Sequence, residues 1–136
     1  MGNTIKGVEF RTVRYTPPPN NNGQTKKGIM GYTNYWHNKR AFTNDEWKKV
    51  KDEYEWLKEM GEGIIVDQSE NKDEIMFNGM AIKGLDHETF CIDKKNNEPS
   101  FNFCKTARKP YDLAVWHLLY FIKHETGAME RISRDW

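Results

Sequence analysis

The fold is organised by one apolar segment, residues 110–125, which reads PYDLAVWHLLYFIKHE. Pro110 suits the first position of a helix, and Gly127 is of the type often found just beyond a helix end. Apolar residues occupy nearly the whole circumference of this predicted helix. A helix with that pattern needs cover on more than one side, so we expect a sheet and a neighbouring element to enclose it.

A second helix is predicted upstream, where Thr43-Asn44-Asp45-Glu46 has the pattern of a capping box. In this motif the threonine side chain caps the helix and the glutamate side chain bonds back to the amide of the cap. Apolar residues then recur every three or four positions over residues 47–60, which predicts one buried face. Gly61 is expected to end the helix.

The rest of the chain contains short apolar or β-branched runs separated by Gly, Asn, Asp and Lys clusters, a pattern typical of antiparallel strands. The predicted strands are Val8–Tyr15, Ile29–Trp36, Gly63–Val66, Glu74–Phe77, Thr89–Asp93, Phe101–Phe103 and the tail Met129–Trp136. A Pro/Asn-rich loop at about residues 16–27 is expected to be mobile. These elements predict a single α+β domain, residues 1–136, with a mainly antiparallel sheet packed against two helices.

Composition limits the classes of partner. The 136 residues carry a net charge of +1 from 21 basic and 20 acidic side chains, so neither extended nucleic acid nor a membrane is expected to bind. The two cysteines and the lack of an apolar N-terminal run predict free thiols and a cytoplasmic location, or the host cytoplasm for a phage-encoded protein. Metal-ligand spacing and nucleotide fingerprints are missing, so no metal or cofactor is expected. Homo-oligomerisation stays open.

Positive charge is concentrated in the turn that precedes the apolar helix. Lys105, Arg108 and Lys109 lie beside a helix N-terminus, whose dipole favours negative charge by roughly 0.3 to 1 kcal/mol. An anion held by these cations, by the Thr106 hydroxyl and by free helix amides would offset that conflict. The alternative is that Asp112 or another carboxylate pairs with Arg108 while the lysines are solvated.

A second candidate site is the sequence Asp86-His87-Glu88-Thr89, where an imidazole lies beside two carboxylates. Histidine titrates near neutral pH, so His87 could act as an acid, a base or a hydrogen-bond donor to a phosphate or a nucleobase. Glu88 would then orient the ring. The alternative is an exposed turn histidine with no chemical role.

Three stretches of the chain resemble one family: residues 42–47 (FTNDEW), 84–90 (GLDHETF) and 103–112 (FCKTARKPYD). The chain is similar, over about residues 31–136, to a family of small uncharacterised bacterial and phage proteins with no assigned activity. The resemblance implies a capped helix, a His-Glu-Thr-Phe box, and then a third box that opens an apolar helix. The chain departs from the family in its Pro/Asn-rich N-terminal extension and in its tail. For a phage-encoded member, sequestering a host immune nucleotide signal is the implied role.

The preferred hypothesis is a binding protein, rather than an enzyme, whose local basic pocket holds a phosphorylated, nucleotide-like small molecule. The predicted ligand-binding residues are His87, Thr89, Lys105, Thr106, Arg108, Lys109, Tyr111 and Trp36. One alternative is a phosphodiesterase or related hydrolase in which His87 and Glu88 are catalytic. Another is a protein-binding inhibitor that acts through an aromatic surface on strand 29–36 and through loop 17–22.

Overall fold

The fold is α+β, with two helices and two antiparallel sheets. The computed structural model describes residues 32–95 and 99–135, so the predicted strand Val8–Tyr15 and the loop at 16–27 lie outside the described residues. The elements are β1 (Thr33–Asn38), α1 (Asn44–Met60), β2 (Ile65–Asp67), β3 (Glu74–Gly79), a 3-10 turn (Ala81–Lys83), β4 (Phe90–Asp93), β5 (Ser100–Lys105), α2 (Asp112–Glu125) and β6 (Met129–Arg134).

Helix α1 begins and ends as its sequence predicts. The Thr43 hydroxyl accepts a hydrogen bond from the Glu46 amide at 3.1 Å, and the Glu46 carboxylate accepts one from the Thr43 amide at 3.0 Å. Both hydrogen bonds of the capping box are therefore present. Arg40 donates two hydrogen bonds to the same carboxylate. That guanidinium is the main cause that lowers the pKa of Glu46 to about 2. Gly61 caps the C-terminus.

Helix α2 is shorter than predicted at its start. It begins at Asp112 rather than Pro110, because the chain leaves β5 through a turn that continues to Tyr111. Its end is capped by Thr126 rather than Gly127, since the Thr126 amide and hydroxyl both donate to the Ile122 carbonyl. The prediction that the helix is enclosed on more than one side is confirmed, because it packs against α1, β1 and β6.

The predicted strands form two separate sheets. Sheet 1 has the strand order β5-β1-β6 and sheet 2 has the order β2-β3-β4, and every pairing is antiparallel. The central strand of sheet 1, predicted as Ile29–Trp36, is observed as Thr33–Asn38; residues 29–31 lie outside the described part of the chain. The predicted final strand is present as β6. No helix among the described residues is long and apolar enough to cross a membrane.

One core joins both sheets and both helices, and it is rich in aromatic side chains, as the composition predicts. Phe77 and Phe90 are fully buried in sheet 2, with ring centroids 5.2 Å apart. Trp36 of sheet 1 lies 5.2 Å from the Phe90 ring and thereby links the two sheets. Val115 and Leu118 of α2 are also fully buried in this cluster. The rings that contribute to the core are therefore unavailable at the surface.

Candidate functional site

The His-Glu-Thr-Phe box and the Lys105–Lys109 turn, which are separated in sequence, meet in the fold. The Lys105 amide donates to the Glu88 carboxylate at 2.8 Å, and the Glu88 amide donates to the Lys105 carbonyl at 3.2 Å. The Tyr111 hydroxyl donates to the Glu88 carbonyl at 2.5 Å. Lys109 Nζ donates to the Gly84 carbonyl at 2.9 Å. The two segments that the sequence singled out are thus adjacent and joined by hydrogen bonds.

The backbone of His87 is held in place by one buried side chain. The Asn78 amide oxygen accepts the His87 N–H at 2.9 Å, and its NH₂ group donates to the His87 carbonyl and the Thr89 hydroxyl. The loop passes so close to β3 that a Cβ at Gly79 would lie 1.8 Å from the Leu85 carbonyl oxygen. The imidazole itself belongs to an exposed residue. The loop is therefore fixed while the ring remains accessible.

Glu88 does not orient His87. Its carboxylate is engaged by the Lys105 amide, and the His87 ring has no hydrogen-bond partner among residues 32–95 and 99–135. An acid–base pair of His87 and Glu88, as the hydrolase alternative requires, is therefore not assembled. No group of three or more His, Cys, Asp or Glu side chains that could hold a metal is found in the described part of the chain.

Asp112 is the centre of a buried polar network under the turn. Its carboxylate accepts hydrogen bonds from Asn34 Nδ2 at 2.6 Å, from Thr106 Oγ1 at 2.6 Å and from an Arg134 Nη at 2.5 Å. Thr106 and Asn34 are fully buried, and the Asp112 and Arg134 side chains are more than nine-tenths buried. Asp112 therefore pairs with Arg134, and the alternative in which it pairs with Arg108 is wrong.

The predicted anion cradle of free helix amides is wrong as well. The amides of Asp112, Leu113 and Ala114 donate to the carbonyls of residues 109, 110 and 111, which leaves them unavailable to a ligand. The negative charge that the helix dipole favours is supplied by the Asp112 carboxylate in the first turn. The conflict that suggested a bound anion at the helix terminus is thus resolved inside the protein.

Several predicted ligand-binding residues are buried in the interior of the protein. Trp36 is only 4% exposed, so the expectation that it lies beside a ligand at the surface is wrong. Tyr111 is fully buried, and burial raises the pKa of its hydroxyl. The buried Thr106 hydroxyl is bonded to Asp112, and the Thr89 hydroxyl donates to Gln68 at 2.9 Å. Of the predicted set, the side chains left facing solvent are mainly those of His87, Lys105 and Arg108.

Arg108 stands in an unusual backbone conformation at the mouth of a cleft. Ala107 and Arg108 have φ angles of 54° and 60°, a left-handed region that non-glycine residues adopt at a cost of about 1–2 kcal/mol each. The Arg108 guanidinium lies 4.6 Å from the centroid of the Tyr32 ring. The Arg134 guanidinium lies 5.4 Å from the same centroid. Burial is the main cause that raises the pKa of Tyr32 to about 12, so this ring is neutral at physiological pH.

We call this cleft the Arg108 cleft. It has a volume of about 240 Å³ and is lined by Tyr32, Arg108, Lys109, Pro110, Asp112, Leu113 and Arg134. Three cationic side chains and one carboxylate therefore surround it, and an apolar wall is formed by Pro110 and Leu113. Arg108 belongs to no ion pair in the described part of the structure, so its guanidinium can accept an anionic partner.

Sequence reasoning missed two sets of residues. Arg134 borders the cleft, but its position in a short tail gave no sign that it would pair with Asp112. Phe101 and Phe103 were assigned to a strand but not to a surface, and they prove to be 54% and 52% exposed. Their alternation with inward-facing residues was the signal that could have found them. Comparisons with protein-family models, with curated proteins and with solved structures find no match for the chain.

Proposed function

We propose that the protein binds a phosphorylated, nucleotide-like small molecule, with the phosphate at Arg108 in the Arg108 cleft. The observation that carries the proposal is the exposed Arg108, which follows left-handed Ala107, is left-handed itself, places its guanidinium over the Tyr32 ring and forms no ion pair with another described residue. Backbone strain of this kind costs free energy and is concentrated at ligand-binding sites. A planar guanidinium is suited to bidentate hydrogen bonding with phosphate.

The charge around the cleft supports an anionic ligand. Asp112 neutralises Arg134, while Arg108 and Lys109 retain their positive charge, so the rim has a net charge of about +2 from these four residues. Pro110 and the half-exposed Leu113 offer an apolar surface to the rest of the ligand. Ligand sites commonly combine an apolar wall with a few polar groups that orient the ligand.

Binding is preferred to turnover because no activated acid, base or nucleophile from residues 32–95 or 99–135 faces the cleft. Glu88 is engaged by a backbone amide, and the Cys104 thiol is buried, which raises its pKa to about 12. The hydrolase alternative would require His87 to act without Glu88, and product formation from the bound compound would favour it. The proposed sequestering role for a phage-encoded protein would require binding without turnover.

The first experiment needs no prior choice of ligand. The purified protein is denatured by heat, and the released small molecules are identified by mass spectrometry. Calorimetric titration with inorganic phosphate and with adenosine 5′-diphosphate then measures affinity directly. Arg108→Gln is expected to weaken binding about tenfold or more, because it removes a charge-assisted bond. Arg108→Lys is expected to recover only part of that loss, since an ammonium lacks the planar fork.

The matched control is Lys48→Gln, which removes one exposed positive charge on α1, far along the chain from the cleft. It is expected to leave affinity unchanged. Equal affinity in wild type and Arg108→Gln would contradict the proposal, as would a protein that releases no phosphorylated compound and binds neither probe at about millimolar concentration.

A further inference from the structure

The outward side of sheet 1 is an aromatic surface that the Arg108 cleft does not include. In adjacent antiparallel strands, residues alternate between the two sides of the sheet. Trp36 of β1 and Cys104 of β5 point into the core, and their neighbours therefore point outward. We call this surface the outer face; its residues are Tyr35, His37, Phe101, Phe103, Lys105, Arg131 and Ser133, together with the buried Thr33 opposite Lys105.

The rings on the outer face form a connected set. Phe101 lies between the others, with its centroid 5.9 Å from that of Tyr35, 5.2 Å from that of His37 and 6.2 Å from that of Phe103. More than half of the surface of Phe101 and of Phe103 is exposed. Exposing two phenyl rings forgoes hydrophobic stabilisation of the folded state, and clustered exposed rings are typical of binding surfaces.

Two cations border the rings. Lys105 Nζ lies 6.0 Å from the centroid of the Phe103 ring, and an Arg131 Nη lies 3.2 Å from Nε2 of His37. Neither Lys105 nor Arg131 belongs to an ion pair in the part of the chain that the structure describes. At one end of the outer face, the Asp135 carboxylate accepts a hydrogen bond from the Tyr35 hydroxyl. A groove of about 300 Å³ on this side of the sheet is lined by Tyr35, Trp36, His37, Phe101, Arg131, Ile132 and Ser133.

We propose that the outer face binds single-stranded nucleic acid, with nucleobases stacked on Phe101 and Phe103 and the phosphate backbone contacting Lys105 and Arg131. The outward positions carry aromatic rings beside two cations that form no ion pair with another described residue, and this is the combination that single-strand binding surfaces use. Every base has a flat face, so stacking of this kind tolerates different sequences. Lysine is depleted at protein–protein interfaces, so Lys105 beside the Phe103 ring favours a phosphate-bearing partner over a protein.

The size and charge of the face limit the complex. Three short strands accommodate only a few nucleotides, and the net charge of the whole chain is +1, so the attraction arises from local cations. Binding should therefore be weak and sensitive to salt. This inference does not depend on the Arg108 cleft, because none of the stacking rings lines that cleft.

Fluorescence anisotropy with labelled 12-residue oligo(dT) and oligo(U) tests the proposal in low salt. The double variant Phe101→Leu/Phe103→Leu keeps an apolar face but removes both rings, and it is expected to weaken binding at least tenfold. Arg131→Gln is expected to weaken binding severalfold and to lower the slope of log affinity against log salt by about 0.7. Comparing the two oligonucleotides shows whether the face prefers DNA or RNA.

Two control variants make the outcomes decisive. Ile82→Ala alters a 90% exposed apolar residue away from the outer face, and Arg108→Gln alters the cleft; both are expected to retain oligonucleotide binding. Loss in the phenylalanine variant alone supports the proposal. Unchanged binding in that variant, equal loss in Arg108→Gln, or no wild-type binding to either oligonucleotide at about 100 μM protein would overturn it. The last result would direct attention to a protein partner.

Discussion

The turn between β5 and α2 is connected to the outer face of sheet 1 by strand β5. Polar side chains are buried at the turn, whereas aromatic side chains are exposed on the outer face. The turn is rich in polar residues, and Thr106 and Asp112 are buried there in a shared hydrogen-bond network. The outer face is rich in aromatic residues, and Phe101 and Phe103 are exposed there. Residue type alone therefore identifies neither the interior nor the exposed aromatic surface of this protein.

Each region has a physical reason for its arrangement. A chain that leaves a strand and enters a helix must satisfy backbone and side-chain polar groups in a confined space, and the Asp112 carboxylate does so for three donors. On the outer face, strand alternation sends every second residue to the side that α2 does not cover. This contrast can be tested by one comparison of thiol reaction rates and by three comparisons of the free energy of unfolding, in decreasing order of size.

The largest difference is expected between the two thiols. Cys104 is buried on the inner side of β5, and burial raises its pKa to about 12, whereas Cys91 is exposed. Iodoacetamide at pH 8 should therefore alkylate Cys91 faster by about a hundredfold or more, because only thiolates react and Cys104 must first be uncovered, although partial burial also raises the pKa of Cys91. Mass spectrometry of peptides from timed samples measures both rates. Similar alkylation rates for the two cysteines in the folded protein would show that Cys104 is not buried on the inner side of β5.

Removing the carboxylate beneath the turn is expected to have the largest effect on stability. Asp112→Asn removes the carboxylate that is paired with buried Arg134, and loss of one member of a buried pair costs about 3–5 kcal/mol. Denaturant unfolding followed by fluorescence measures the free energy of unfolding. The matched control Asp52→Asn, an exposed position on α1, should change it by less than about 0.5 kcal/mol. Equal effects would mean that the network contributes little.

The same substitution at two phenylalanines, one in the core and one on the outer face, is expected to change the free energy of unfolding by different amounts. Phe90→Ala removes a fully buried ring and is expected to lower the free energy of unfolding by about 3–5 kcal/mol. Phe103→Ala removes a ring that is 52% exposed and should cost no more than about 1 kcal/mol. Thermal and denaturant unfolding compare them. A large cost at Phe103 would indicate that the outer face is covered in solution.

The smallest expected effect is a gain in stability. Ala107 adopts a φ of 54°, which glycine tolerates without a steric penalty. Ala107→Gly is therefore expected to raise the free energy of unfolding by about 0.5–1 kcal/mol, although glycine also gains entropy in the unfolded chain. The control Ala114→Gly, inside α2, should lower stability by about 1 kcal/mol or more. A loss at residue 107 would contradict the strain from which the Arg108 cleft was argued.

The proposed site could be predicted only in part. The charged turn and the His-Glu-Thr-Phe box were recognisable from residue types, and they do lie together. The partner of Asp112 could not be predicted, because Arg134 reaches it only through the pairing of β6 with β1. The burial of Trp36 and Tyr111 also depends on contacts between elements distant in sequence.

The order of amino acids is enough to predict the local elements: the capping box that begins α1, the apolar run of α2 and the alternating strands. These follow from interactions between residues a few positions apart, which the order of amino acids specifies directly. Tertiary structure alone decided that the strands divide into two sheets and which side of sheet 1 the helix covers. That choice commits Trp36 and Thr106 to the interior and leaves Arg108, Phe101 and Phe103 at the surface, because exposure depends on what the rest of the chain packs against.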